Sequence, residues 1–241
     1  MNNMNNNLLI SIEGNIGSGK STLLGSLKKQ YEFNPNVIFL DEPVDEWSKI
    51  TNEEGKSILE LFYSNQERYS FSFQMLAYIT RLQKIKEIIE KYNNKILVSE
   101  RSLFTDSYVF AKMLYETKKI SEVEYKIYTN WVTTFSNYLP EIIIYLNTSP
   151  ELCEERVNTR KREGEDKISL TYLTDCHNYH EKMITELSRQ ASCNIYELNG
   201  NINIYEDKNT LNYGINLVNS IVEMHIKKTN TNSITLGSCP L

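Results

Sequence analysis

Residues 14–21 read Gly-Asn-Ile-Gly-Ser-Gly-Lys-Ser, the pattern G-x-x-x-x-G-K-[ST], and the segments on both sides suit it. Leu8-Leu9-Ile10-Ser11-Ile12 is apolar and partly β-branched, as a buried strand would be. Leu23, Leu24 and Leu27 follow at i, i+1 and i+4, the spacing of an amphipathic helix. A strand that enters a glycine-rich turn and then a helix points successive backbone N–H groups inward and adds the helix's partial positive charge. Gly14, Asn15, Ile16, Gly17, Ser18, Gly19, Lys20, Ser21 and Thr22 are therefore expected to cradle a nucleoside triphosphate. Lys20 is expected to reach the β- and γ-phosphates, and Ser21 to place its hydroxyl on Mg²⁺.

At 241 residues the chain has the length of one α/β domain. Its 26 Lys+Arg against 31 Asp+Glu give a net charge of −5, and no basic stripe is visible, so no nucleic-acid partner is expected. No apolar run approaches a membrane span. The opening MNNMNNN has neither the charged and apolar regions of a secretory signal nor the arginines of a mitochondrial presequence, and a cytoplasmic enzyme is expected. Cys153, Cys176, Cys193 and Cys239 are too scattered for a zinc site or a redox pair. His177 and His180 share a helical face; with no further ligand cluster they read as polar residues of a surface helix.

Apolar runs at 8–12, 37–41, 96–99, 142–147 and 194–198 read as strands, and helical patterns separate them. The longest helical pattern stretches from about Ser57 to Tyr92. Unalternated strands divided by helices predict an α/β fold, a five-stranded parallel sheet with helices on both faces. One domain is expected over 8–228, with disordered tails at 1–7 and 229–241.

Ligands of open α/β sheets gather at the carboxyl ends of the strands. Strand two ends in Asp41-Glu42-Pro43, and Glu42 is the candidate general base for a substrate hydroxyl. Strand three ends in Glu100-Arg101; Glu100 is placed to hold Mg²⁺ with Ser21, and Arg101 to orient Glu42 or stabilise the transferring group. Gln74, Tyr78 and Arg81 lie within about 60° of one another on a helix. Either a nucleobase edge partners Gln74, with Phe73 or Tyr78 stacking on it, or Gln74 and Arg81 simply flank an aromatic core stripe. Arg156, Arg160 and Arg162, ahead of the polar turn Glu163-Gly164-Glu165-Asp166-Lys167, form either a solvated helix face or, the preferred reading, a lid over the phosphates.

Five motifs in order, GNIGSGKST, DEPVDEW, YSNQERYSFSFQMLAYITR, SERSLFTDSYVF and RVNTRKREGEDKISLTYL, make the chain resemble the deoxyribonucleoside kinase family from Leu8 to about Lys227. That family contains deoxycytidine, deoxyguanosine and deoxyadenosine kinases. The resemblance implies a phosphate-loop kinase fold with a short arginine-rich lid, a homodimer, and transfer of the ATP γ-phosphate to a deoxynucleoside 5′-hydroxyl in nucleotide salvage. It also implies catalytic roles for Glu42, Arg101 and Lys20, a metal site at Ser21 and Glu100, and phosphate contacts from Arg156, Arg160 and Arg162. Tyr63 and Glu165 match the pair that holds the sugar 3′-hydroxyl, Gln74 the base-reading glutamine, and Trp47 an aromatic wall. Tyr172 matches a tyrosine just beyond the lid. Arg81 and Asp106 match a base-pocket pair that favours deoxyadenosine, deoxyguanosine or deoxycytidine over thymidine. Lys161 and Glu163 depart from the commonest lids.

Two alternatives predict other features. A thymidylate-like monophosphate kinase needs a cation near the acceptor phosphate, where Asp41 and Glu42 would repel it. A switch GTPase needs an N-K-x-D motif, which the sequence lacks.

Overall fold

The computed structural model describes residues 6–160, 162, 165, 168–190, 193–202 and 209–235. Five strands, β1 (Leu8–Gly14), β2 (Val37–Leu40), β3 (Ile96–Glu100), β4 (Ile142–Asn147) and β5 (Asn194–Asn199), form one sheet in the order β2-β3-β1-β4-β5. All four pairings are parallel, with Ile12 opposite Glu100 on one side and Ile144 on the other. The sheet thus has the expected five-stranded α/β form.

Alternation along β1 divides the core. Ile10 and Ile12 pack with Leu23, Leu24 and Leu27 of α1 (Lys20–Gln30) and with Val218, Ile221 and Val222 of α9 (Asn209–Thr235). Leu9 faces the other way, against Tyr78, Leu82 and Ile85 of α4 (Gln66–Lys91) and Tyr128 of α6 (Glu122–Thr134). Burial of each such side chain contributes about 1.5–3 kcal/mol, and helices cover both faces.

The helical pattern expected from Ser57 to Tyr92 is broken in two, α3 (Ile58–Ser64) and α4, at Asn65. Asn65 leaves helical geometry at φ −150° and ψ 82°, and its Oδ1 accepts from the Arg68 N–H to cap α4. Ser57 and Glu60 form a capping box at the start of α3. Between β2 and α3 lies the single turn α2 (Val44–Trp47). After β3 the chain takes a π-helical segment, Thr105–Ala111, which runs into α5 (Lys112–Glu116). The remaining helices are α7 (Pro150–Arg160) and α8 (Leu170–Gln190).

Several details depart from the sequence reading. α9 continues helical to Thr235, past residue 228 where that reading ends the domain. Asn6 and Asn7, assigned to the N-terminal tail, hydrogen-bond to Asn93 Oδ1 and the Tyr92 carbonyl. Lys161, Glu163, Gly164, Asp166, Lys167 and Cys239 lie outside the described residues. His180 is no surface residue: it is fully buried, its Nδ1 2.7 Å from the Cys176 carbonyl. No group of metal-binding His, Cys, Asp or Glu occurs among the described residues, and no described helix is long and apolar enough to cross a membrane.

Candidate active site

The phosphate loop sits where β1 meets α1, and its glycines are required by space as well as by dihedral angle. Gly17 has φ 78°, and a Cβ there would stand 2.5 Å from the Cys153 carbonyl of α7. Gly19 has φ 104° and forms the N-cap of α1, a left-handed position suited to glycine. Asn15 locks the loop from within, its Oδ1 accepting from Ile16 N and its Nδ2 donating to the Leu173 carbonyl. From outside, Thr148 and Arg156 both donate to the Ser18 carbonyl, at 3.1 and 3.2 Å. Lys20 folds back to give a 2.7 Å hydrogen bond to the Asn15 carbonyl. Burial, with the Arg101 charge second, pushes the Lys20 ammonium down to about 8. An anion placed beside this buried lysine would favour its charged form. Ser21 Oγ donates to Glu100 Oε1 at 2.8 Å, so two oxygens converge at the edge of the cradle because β3 lies next to β1.

Glu42 leaves the end of β2 and turns inward, while its neighbour Asp41 turns out to pair with Lys28. Glu42 Oε1 lies 3.0 Å from Arg101 Nε and 3.4 Å from Arg81 Nη2. Burial alone would raise the Glu42 carboxyl, but the guanidiniums of Arg101 and Arg81 outweigh it and hold it below the usual carboxylate range. Glu42 is therefore a carboxylate at neutral pH. Arg101 is itself set firmly: its Nη1 donates to the Gly14 carbonyl at 2.9 Å, and its guanidinium lies 4.9 Å from the centroid of the Phe110 ring.

A cavity of about 550 Å³ joins these two groups. The phosphate loop, Glu100 and Arg156 line one end; Glu42, Trp47, Tyr63, Phe73, Gln74, Arg101, Asp106 and Glu165 line the other. Every candidate of the sequence reading except Gly14, Asn15, Tyr78 and Arg81 borders this space. Gln74 is 2 % exposed, and its Oε1 has no hydrogen-bond partner among the described residues. Trp47 donates from Nε1 to Thr80 and meets Phe73 edge-on at 5.3 Å. Tyr78 does not join the wall as the stacking alternative supposed; it packs in the core against Tyr128 at 5.7 Å.

Arg81 reaches the cavity only through its partners. Nε donates to Asp106 Oδ2 at 2.8 Å, Nη1 to the Glu100 carbonyl at 2.6 Å, and Nη2 points at Glu42. Burial opposes its charge, but Asp106 and Glu42 more than compensate and raise it above its usual value. Asp106 is pushed up by burial, against the pull of Arg81. At the far rim, Arg160 Nη2 and Arg162 Nη1 donate to the two oxygens of Glu165, at 2.5 and 3.3 Å. The described lid arginines divide accordingly: Arg156 contacts the phosphate loop, whereas Arg160 and Arg162 pair with an acid. Burial and the nearby Glu165 charge raise the Tyr63 hydroxyl, which stays protonated and able to donate.

A triphosphate cradle and an ionised, arginine-flanked carboxylate facing the same nucleoside-sized space narrow the chemistry to phosphoryl transfer onto a hydroxyl. The deoxynucleoside kinase family model matches residues 10–223. The chain belongs to the deoxynucleoside kinase family. Its relatives include a probable deoxycytidine kinase of Fowlpox virus, 34% identical over 83% of this chain and 82% of that protein. The mitochondrial deoxyguanosine kinase of Xenopus laevis is 33% identical over 76% of this chain and 75% of its own length. Deoxycytidine kinase of Homo sapiens is 33% identical over 73% and 74%. Membership makes the chain an enzyme that phosphorylates deoxynucleosides with ATP as donor, and none of these relatives supports the monophosphate-kinase alternative.

Sequence reasoning passed over Phe110, which lines the cavity and packs on Arg101. Its only local signal is an aromatic one turn beyond Asp106, and the π-helical winding decides where it points. It also passed over Glu13, a charge inside an apolar strand.

Proposed function

We propose that this kinase transfers the γ-phosphoryl group of ATP in line to the 5′-hydroxyl of deoxyadenosine, deoxyguanosine or deoxycytidine in preference to thymidine. One observation carries the reading: Glu42 is held ionised between Arg101 and Arg81 and opens into the cavity that the phosphate loop also lines. Glu42 accepts the hydroxyl proton as the new P–O bond forms, while Lys20 and the arginines Arg101 and Arg156 spread the charge on the transferred group. Ser21 and Glu100 fit Mg²⁺, since two convergent oxygens, one of them acidic, are the hard donors it takes. When bound, Mg²⁺ supplies positive charge to the β- and γ-phosphate oxygens.

Tyr63 as donor and Glu165 as acceptor suit the sugar 3′-hydroxyl; the ties of Arg160 and Arg162 to Glu165 link that contact to the lid. The unpartnered Oε1 of Gln74 suits a base-edge donor, with Trp47 and Phe73 as the flanking aromatic wall. Base preference rests on Arg81 and Asp106, which put a fixed charged edge where a thymine methyl would need apolar space.

A single catalytic domain, a cytoplasmic site of action in nucleotide salvage, and no nucleic-acid partner belong to the same reading. A homodimer is supported by exposed apolar residues on neighbouring helices, Ile79 of α4 and Val123, Ile127 and Trp131 of α6. The test is a panel of the four natural deoxynucleosides and their 5′-monophosphates with ATP and Mg²⁺, compared by kcat/KM. Turnover of nucleosides with thymidine last is expected. Turnover of monophosphates alone overturns the reaction, and thymidine first overturns the base preference.

A further inference from the structure

Glu13 is the one charged residue of β1, and it is fully buried. A buried carboxyl is costly unless its oxygens are satisfied, and both are. Oε1 accepts from Ser102 Oγ, and Oε2 accepts from Thr105 Oγ1. Ser102 Oγ in turn accepts from Phe104 N at 3.2 Å. Ser102 lies in the turn that follows β3, whose first residue is Arg101, and Thr105 is the first residue of the π-helical segment that the turn leads into.

That turn carries strain. Arg101 has φ 65°, a left-handed conformation that non-glycine residues rarely adopt. Three consecutive residues of β1 hold it there. The Ile12 carbonyl accepts from Arg101 N at 2.9 Å, Glu13 grips Ser102 and Thr105, and the Gly14 carbonyl accepts from the Arg101 guanidinium. On the far side, Ser99 Oγ donates to the Arg101 carbonyl at 2.8 Å. With the backbone so fixed, Arg101 Nε faces Glu42.

We infer that Glu13 is a positioning residue for phosphoryl transfer: by clamping Ser102 and Thr105 it presents Arg101 to Glu42 at the reacting end of the cavity. The inference rests on the proposed roles of Arg101 and Glu42, and Glu13 itself touches neither substrate. The placement explains why a carboxylate occupies a strand position that an apolar residue would fill more cheaply.

The test is a double-mutant cycle on the full chain. Glu13→Gln and Arg101→Lys are made singly and together; kcat, KM for ATP and the thermal midpoint are measured. Glu13→Gln alone is expected to lower kcat about tenfold to a hundredfold, the scale of a small misplacement at a reacting centre. KM for ATP is expected to stay within about threefold, because the phosphate-loop amides are untouched. In the Arg101→Lys background the same substitution is expected to change kcat less than about twofold, the non-additivity of residues acting as one unit. An equal loss in both backgrounds overturns the proposal and leaves Glu13 a core residue only. Native kcat for Glu13→Gln beside an impaired Arg101→Lys also overturns it, without touching the role of Arg101. Native kcat for Arg101→Lys overturns the proposed role of Arg101 and this inference with it. Should Glu13→Gln unfold the protein, Thr105→Val removes one hydroxyl from the other side. A loss of kcat confined to the Arg101 background is then expected, and an equal loss in both backgrounds overturns the proposal.

Discussion

The two ends of the cavity are built differently. At the phosphate end, the consecutive residues 16–22 line the cavity as one local turn, joined by Glu100 and Arg156. At the nucleoside end, Glu42, Tyr63, Gln74, Asp106 and Glu165 come from five separate stretches of chain, and side chains do everything. The first is rigid because glycines and local hydrogen bonds fix it. The second is rigid only where charges meet, at Arg81 and Arg101. Local damage should therefore injure one substrate's binding, whereas damage to the charge network should injure stability and base choice together.

The largest effect on folding is expected from Asp106→Ala, which leaves the Arg81 guanidinium buried without its main partner. A loss of about 3–5 kcal/mol in denaturant unfolding is the usual scale for a broken buried pair. Adding Arg81→Met should restore much of that stability and move the kcat/KM ratio toward thymidine. A double variant that is stable and keeps its base preference would separate the pair from specificity.

Gly17→Ala should act at the other end. Its φ of 78° and the 2.5 Å approach to the Cys153 carbonyl leave no room for a methyl group. About 1–2 kcal/mol of left-handed strain corresponds to roughly a 5- to 30-fold fall in kcat/KM for ATP, with nucleoside affinity near native by calorimetry. Equal losses for both substrates would erase the distinction between the two ends.

A milder probe is pH. Lys20 is lowered to about 8 in the folded enzyme from an ordinary 10.5. Above about 8 the neutral amine no longer attracts phosphate, so kcat/KM for ATP should fall about tenfold per pH unit. Stability moves the other way. Between about 8 and 10.5 the unfolded chain binds more protons than the folded one, so this group makes folding more favourable as pH rises. A kcat/KM for ATP that is flat through this window would remove Lys20 as the titrating group.

Much of this was legible in the chain, for reasons that differ by region. The strand, loop and helix around 14–21 need only local pattern, and β1, β2, β3, β4 and β5 fall close to the expected runs because buried parallel strands are uniformly apolar. That Glu42 and Glu100 border the cavity was readable from their places at strand ends. The split at Asn65 was not, since a capping asparagine inside a helical pattern looks like one more polar residue. Nor could sequence tell that Tyr78 turns into the core, or that Arg81 works through Asp106, Glu42 and the Glu100 carbonyl. Those facts depend on packing between segments far apart in the chain. Arg101 shows the limit most plainly: its residue type suggested a role, but the left-handed backbone that aims it depends on contacts from β1.

Glu42→Gln gives the most direct measurement, because it keeps shape and removes only the charge and basicity. With saturating ATP and Mg²⁺, kcat should fall about 10²–10⁴-fold, the usual scale for a general base. Deoxynucleoside affinity measured in parallel should stay within about threefold of native. A variant that binds nucleoside normally and turns over at near-native rate would contradict proton transfer to Glu42.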